Sequence, residues 1–442
     1  MKHVALVLSA AGLLTTHISA ADRSRPNVIL IMADDMGYGD VSCYGDAGYQ
    51  TRHVDRLAAT GLRFTDFHSN GNVCSPTRAA LLTGRYQHRA GIPGVLTARG
   101  HRHQGLHVHE TTFAEALQKS GYRTALFGKW HLGYATKYNP VRHGFDAFRG
   151  YVSGNVDYFS HIDQTGVYDW WSDDQLIQEP GYTTHLITDH AVRFIEENRD
   201  QPFCLYLAHE TPHYPYQGPR DSADRTVGGS FDNHGSRPDR KAAYREMMLE
   251  LDGGIGRVIA TLERLELDRK TFVLLFSDNG ATRLGNNGPL RGTKGTNWEG
   301  GHRVPAIAWW PGRIDSGGVC SETVMTMDLM PTVLALTGVN LPEGHRLDGV
   351  DLTPQLLDGK ALAQRTLYWH RDGRSAVRRG PWKLVVNPRG DDGFVGLYDL
   401  DRDITEQRNR AQEHPDRTKE LQAALTSWLD DVSSTATRQP ID

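Results

Sequence analysis

Four short runs constrain this chain more than any other feature: Val28-Ile29-Leu30-Ile31-Met32, Thr124-Ala125-Leu126-Phe127, Phe203-Cys204-Leu205-Tyr206-Leu207 and Phe272-Val273-Leu274-Leu275-Phe276. None alternates apolar with polar residues, so each suits a strand covered on both faces, which is the condition of a parallel sheet. Between the runs, Thr111 to Ser120, Thr183 to Asn198 and Lys241 to Leu265 repeat apolar residues at intervals of three and four. These are helices able to cover such a sheet. The alternation predicts an α/β fold built on a large, doubly wound, mainly parallel sheet. Functional residues are then expected just beyond the C-terminal ends of the strands.

From about Leu367 the texture changes to short alternating segments, Ser375 to Arg378 and Trp382 to Val386, followed by a helical stretch from Pro415 to Val432. We therefore expect a catalytic α/β domain over 21–366 and a smaller C-terminal subdomain, an antiparallel sheet plus a helix, over 367–442. Residues 1–20 have the form of a signal peptide. Lys2 and His3 precede an apolar stretch from Val4 to Leu14, and Ile18-Ser19-Ala20 offers a small-residue cleavage site. Beyond it no apolar run approaches the ~18 residues of a membrane span, which predicts an exported protein, periplasmic or secreted. The segment Tyr216 to Arg240, rich in Gly, Asp and Arg, reads as a mobile insertion.

With 49 basic and 53 acidic residues among 442, the chain lacks the excess positive charge of a nucleic-acid-coating protein. Its 21 His would turn the net charge of −4 strongly positive below pH ~6, favouring an anionic substrate in mild acid. Four Cys, at 43, 74, 204 and 320, form no C-x-x-C pair and are too few for a disulfide scaffold.

Two of the apolar runs end in acidic pairs: Ile31-Met32-Ala33 leads into Asp34-Asp35, and Leu275-Phe276-Ser277 into Asp278-Asn279-Gly280. Adjacent strand ends would gather four oxygen-bearing side chains, a donor set suited to Ca²⁺ or Mg²⁺ and not to Zn²⁺. Turn formation is the plainer reading of either pair alone. The stretch Val73 to Gly84 predicts a helix with Ser75 as N-cap, Pro76 in the first turn and Gly84 as stop. Cys74 and Arg78 lie one turn apart at its N-terminus, where free N–H groups favour an anion and Arg78 offers a bidentate partner for an oxyanion. A buried, inert Cys74 is the alternative.

Cys74-Ser75-Pro76-Thr77-Arg78 followed by Leu81-Leu82-Thr83-Gly84-Arg85 closely resembles the first signature of the formylglycine-dependent sulfatases, members of the alkaline phosphatase superfamily. Gly121 to His131 resembles the second. With Pro26-Asn27-Val28 to Gly39-Asp40 and the late Asp278-Asn279-Gly280, the resemblance spans nearly the whole chain after residue 20. Asn72, where a smaller residue is commoner, and Phe127, where a smaller apolar one is usual, depart from the pattern and bear on pocket shape.

The resemblance implies a sulfatase that hydrolyses sulfate monoesters, on a sulfated sugar or polysaccharide fragment given the expected export. It implies that a maturating enzyme oxidises Cys74 to formylglycine, whose hydrate supplies the nucleophile. It also implies one Ca²⁺, with Mg²⁺ the less favoured ion, held by Asp34, Asp35, Asp278, Asn279 and the converted residue 74. Lys129 and His131 would contact sulfate and the formylglycine hydroxyl, and in extended chain they would share a face. His131 would be the base of the breakdown step. His213, in His209-Glu210-Thr211-Pro212-His213, and Lys294 would stand beside the leaving group, one of them donating its proton.

Weaker candidates are His101, His103, His107 and His109, whose spacing would suit zinc but for Arg99 and Arg102, and which otherwise form a solvated loop or an anionic-substrate rim. Tyr151, Trp170 and Trp171 could stack on a sugar or fill the core. Ser153 and His209 are possible sulfate or supporting contacts. The competing functions are a phosphomonoester or phosphonate ester hydrolase, since phosphoryl and sulfuryl groups share a tetrahedral shape, and a glycan-binding pseudoenzyme.

Overall fold

A computed structural model describes residues 25–341, 343–387 and 393–438. The expected signal peptide, 1–20, lies outside them. The main sheet has 11 strands. In chain order they are β1 (Asn27–Ala33), β2 (Leu62–His68), β3 (Arg123–Lys129), β4 (Ala147–Tyr151), β5 (Trp171–Ser172), β6 (Gln175–Leu176), β7 (Phe203–Ala208), β8 (Thr271–Ser277), β9 (Arg303–Trp309), β10 (Gly318–Cys320) and β11 (Val324–Met325). The order across the sheet is β10-β2-β9-β8-β1-β7-β3-β4-β5-β6, with β11 extending the pairing of β2. The central strands β8, β1, β7, β3 and β4 are mutually parallel.

Helices α1 (Arg52–Thr60), α2 (Cys74–Thr83), α3 (Phe113–Lys119), α4 (Thr183–Glu197), α5 (Arg240–Arg264), α6 (Glu299–His302), α7 (Leu329–Thr337) and α8 (Thr353–Asp358) accompany the sheet. Strand β1 shows why both its faces are apolar. Val28, Leu30 and Met32 point into a core with Leu81, Leu82, Phe113 and Val333, from α2, α3 and α7. Ile29, Ile31 and Ala33 point into another with Ile187, Leu251, Ile255 and Val258, from α4 and α5. Each buried aliphatic side chain contributes about 1.5–3 kcal/mol, so one polar substitution in β1 would harm whichever face it met. Parallel β3 also needs Gly128, at φ +110, because a Cβ there would lie 2.0 Å from the Ala208 carbonyl oxygen.

The second sheet, β12 (Thr366–Arg371), β13 (Arg374–Arg379), β14 (Trp382–Asn387) and β15 (Phe394–Asp399), is antiparallel in that order. Asp372 and Gly373 both take positive φ in the two-residue turn between β12 and β13, the conformation that matches strand twist. Helix α9 (Pro415–Ser434) packs Leu421, Leu425, Trp428 and Val432 against this sheet. A buried ionic network joins the two sheets: Arg378 donates to both oxygens of Asp66 at 2.8 and 2.7 Å, and Lys383 lies 2.9 Å from both Glu299 and Glu406. His68, Glu299 and His302 converge there like metal ligands, but the Lys383 ammonium already meets Glu299 and stands 3.2 Å from His302 Nε2.

The segment Tyr216 to Arg240 is tied down more firmly than its composition predicts. Asp157 Oδ2 accepts from Gln217 Nε2 and from the backbone N–H groups of Asp224 and Arg225 at 2.7–3.0 Å, and the buried Arg225 side chain donates to Ile162 and Asn233 carbonyls.

Candidate active site at the C-terminal edge of the sheet

Register brings the two acidic pairs together. In the parallel β1–β8 ladder Ala33 lies opposite Ser277, so Asp34 and Asp278 emerge side by side. Ala208 pairs with Met32 on one side and Gly128 on the other, which places Lys129 and the His209–His213 segment at the same edge. Strand β2 is antiparallel to β9, itself antiparallel to β8, so β2 also ends at this edge and leads into α2.

Helix α2 begins at Cys74, with extended Val73 as the N-cap and left-handed Gly84 as the stop. Ser75 is not the cap. It lies inside the first turn, and its Oγ accepts the Leu96 N–H at 3.2 Å, fixing the segment that runs past the site. Cys74 Sγ stands 3.5 Å from Asp34 Oδ1 and 3.5 Å from Lys294 Nζ. Lys129 Nζ donates to Asp34 Oδ2, and Lys294 Nζ lies 2.6 Å from Asp35 Oδ1. Asn279 Nδ2 donates to Asp35 Oδ1 at 2.7 Å.

Arg78 departs from the sequence reading. Its guanidinium is wholly buried, with Nη1 donating to the Lys129 carbonyl at 2.9 Å and Nη2 to Asp278 Oδ2 at 3.0 Å. Its fork is taken up in holding β3, β8 and α2 together, leaving Nε as its unpartnered nitrogen. Tyr206 was missed by sequence reasoning, being hidden inside an apolar run. Its hydroxyl lies 3.5 Å from Arg78 Nη1.

Lys129 is the last residue of β3, and His131 takes a left-handed φ of 54°. The chain therefore turns at His131, and the shared-face argument from extended geometry does not hold. His131 Nε2–H donates to the Leu96 carbonyl at 2.8 Å, which leaves Nδ1 with the lone pair and no protein partner. In His213, Nδ1–H donates to the Tyr214 carbonyl at 2.6 Å, and bare Nε2 faces Asp35 Oδ2 at 3.8 Å.

The electrostatics follow from burial of these charges together. Burial alone would raise Asp34, but Lys129 and the neighbouring cations hold it well below the usual carboxylate range. Burial dominates at Asp35 and, with the Asp34 charge, pushes Asp278 up to about 7. Burial and Asp34 push the Cys74 thiol up to about 12. Burial, then Lys129 and Arg78, holds His131 well below the imidazole range, and burial with Lys294 does the same to His213. Lys294 is held well above its usual value because Asp35 and the other acids outweigh burial.

The site has the donors a hard cation needs. Asp35 Oδ2 and Asn279 Oδ1 are buried oxygens without a hydrogen-bond partner. Ligand atoms of Asp34, Asp35, Cys74 and His213 lie within 4.8 Å of one another. Asp278, expected among the ligands, directs one oxygen to Arg78 and the other, at 3.2 Å, to the Asp35 N–H. The oxygens of Asp34, Asp35 and Asn279 suit Ca²⁺ or Mg²⁺, whereas the thiol as encoded is the one soft donor next to them.

The weaker candidates separate. Tyr151 and Trp170 are fully buried and stack on each other in the core, so neither is a sugar platform. Half-buried Trp171 donates to Asp169 at 2.6 Å, and Ser153 bonds its neighbour Asn155. His209 is buried without a ring partner, and desolvation lowers it to about 3. His101, His103, His107 and His109 lie along a partly exposed turn and belong to neither ligand cluster found among the described residues. Phe127 packs on Phe194 in the core, whereas Asn72 bonds Asn297 at 2.6 Å near Cys74.

Residues 26–339 match the sulfatase family model, and residues 293–435 match the C-terminal model described as N-sulphoglucosamine sulphohydrolase, C-terminal. Mouse N-acetylgalactosamine-6-sulfatase is 33% identical over 410 residues, covering 86% of this chain and 75% of that protein. Human arylsulfatase A is 36% identical over 401 residues, covering 83% and 75%. The crystal structure of Ps i-CgsB in complex with k-i-k-neocarrahexaose superposes with a TM-score of 0.83 at 28% identity, covering 94% of this chain and 95% of that one.

Proposed function

The chain belongs to the sulfatase family of sulfuric ester hydrolases, and from that premise we propose that its substrate is a sulfated carbohydrate and its nucleophile is made from Cys74. The observation that carries the proposal is the setting of Cys74, at the N-terminus of α2 and 3.5 Å from both Asp34 and Lys294. A thiol raised to about 12 is neither a thiolate nucleophile nor a ligand for a hard cation at neutral pH. Oxidation to formylglycine, and hydration to a gem-diol, puts oxygen where both tasks need it. Cys74 is only 3% exposed, so a maturating enzyme must reach it before the chain folds, which agrees with an exported protein converted on its way out.

Converted and hydrated, residue 74 would supply the hydroxyl for attack on sulfur, its proton passing to a carboxylate of the neighbouring Asp34, Asp35 and Asp278 as the sulfur–oxygen bond to the sugar breaks. Lys294 is the proton donor to the departing oxygen, because it is charged while His213 is neutral with its Nε2 lone pair facing inward. His131 Nδ1, whose lone pair has no protein partner, would take the proton from the second hydroxyl, whose loss lets sulfate leave and the aldehyde re-form. Lys129, and Arg78 through its Nε, lend positive charge to the sulfate. Ca²⁺ held by Asp34, Asp35, Asp278, Asn279 and converted residue 74 would neutralise charge on the sulfate oxygens. The carbohydrate assignment is supported by the sugar sulfate in the name of the mouse relative and the bound neocarrahexaose of the structural neighbour. Peptide mass spectrometry of active enzyme should find formylglycine at 74, together with sulfate release from a panel of defined sugar sulfates. Full activity from protein carrying only unmodified Cys74 would refute the nucleophile.

A further inference from the structure

A groove of about 990 Å³ opens beside the site on the Lys294 side. Gly292 and Thr293, which line it, immediately precede Lys294, whose N–H donates to the Ala281 carbonyl at 2.9 Å. Thr282, on the same wall, bonds the Tyr216 hydroxyl at 3.2 Å. Tyr216 meets Tyr214 edge-on, and the Tyr214 ring lies 4.1 Å from that of His213. The groove thus flanks the segment that carries Lys294 and extends to Tyr49 and the start of α5.

Its charges are unevenly engaged. Asp40 accepts from the N–H groups of Gly37 and Asn286 and from the Tyr244 hydroxyl, Asp46 from the Gly48 N–H, and Asp239 from the Ala242 N–H. The three cations of the lining, Lys241, Arg245 and Arg283, are exposed and meet no hydrogen-bond or ion-pair partner among the described residues. Farther along α5, Arg257 and Arg264 are paired with Asp189 and Glu196. Asp40 is buried with both oxygens engaged, Asp46 and Asp239 each hold one oxygen on a backbone N–H, and the three free cations are the groups able to meet anions spaced along a ligand.

We propose that this groove binds further anionic sugar units of an extended glycan whose reacting sulfate lies at Cys74, so that the enzyme acts on oligosaccharides in preference to single sugars. The inference rests on the carbohydrate sulfatase reading. Two length series test it: N-acetylgalactosamine 6-sulfate against a chondroitin 6-sulfate hexasaccharide, and neocarrabiose sulfate against neocarrahexaose. In the series that is hydrolysed, kcat/KM should be at least about tenfold higher for the longer member, roughly 1.4 kcal/mol. The Arg245→Ser/Arg283→Ser double variant should collapse that ratio toward one, chiefly through KM for the longer chain. Arg257→Ser, outside the groove, should retain it. A ratio near one in the wild type, or one that the double variant leaves intact, overturns the groove while the sulfatase reading stands. Hydrolysis of an aryl sulfate but of neither series defeats the carbohydrate reading and the groove with it.

Discussion

Asp66→Asn is the most telling perturbation of the scaffold behind the site. The Asp66 carboxylate is buried and accepts from Arg378 Nη1 and Nη2, His68 Nε2 at 2.9 Å and Thr323 Oγ1 at 2.7 Å, with Arg303 Nη1 at 3.1 Å. An amide of the same shape removes the negative charge and turns a donor toward guanidinium groups. Arg378 and Arg303 would be left to Glu299, at 3.8 and 3.2 Å, which already serves Lys383. Removing one partner of a buried pair costs about 3–5 kcal/mol, mostly from the charge left uncompensated. Urea unfolding followed by tryptophan fluorescence should show the midpoint falling accordingly, and adding Arg378→Met should recover part of the loss.

The pH dependence gives an independent check. Burial alone would raise Asp66, but Arg378 and Arg303 hold it well below the usual range. A carboxylate depressed in the folded state contributes stability above its unfolded value of about 3.9 and loses it as pH falls through the folded value. The gap between wild type and variant should therefore be constant above pH ~5 and shrink progressively below ~4. A loss under about 1 kcal/mol, or a gap that widens in acid, would refute the reasoning.

Elemental analysis should find one Ca²⁺ per chain, and chelation should abolish turnover and lower the unfolding midpoint. Stoichiometric zinc would contradict the oxygen donor set, whereas Mg²⁺ would retain it in a tighter octahedron. Paired aryl sulfate and aryl phosphate assays should favour sulfate by at least about tenfold in kcat/KM, because the contacts proposed for Lys294 to the leaving oxygen would strengthen as the bond breaks. The acid limb of that activity should lie below the ordinary imidazole value of about 6.5, since burial and the adjacent cations keep His131 unprotonated there. A phosphate preference would revive the phosphohydrolase alternative. Gly128→Ala should prevent soluble folding, measured by the yield of monodisperse protein, because its Cβ would collide with the Ala208 carbonyl.

What the sequence by itself determined is local. Apolar runs of four or five residues marked strands covered on both faces, as in β1 with a core on either side. The acidic pairs marked the ends of β1 and β8, and Gly84 marked the end of α2, because solvation and backbone freedom act within a few residues. Which strand ends meet is a different matter, decided by the Ala33–Ser277 register across more than two hundred residues of chain. Tertiary structure alone set the left-handed turn at His131 and the carbonyl that selects its lone pair, since the partner, Leu96, is 35 residues away. It likewise enclosed Arg78 among Lys129, Tyr206 and Asp278, a role that a helix N-terminus does not reveal. Asp66 and Arg378, 312 residues apart, pair only once both sheets have formed. Periodicity encodes which face of an element is buried, whereas the identity of its neighbour, and with it the charge a side chain meets, emerges only when the sheet is assembled.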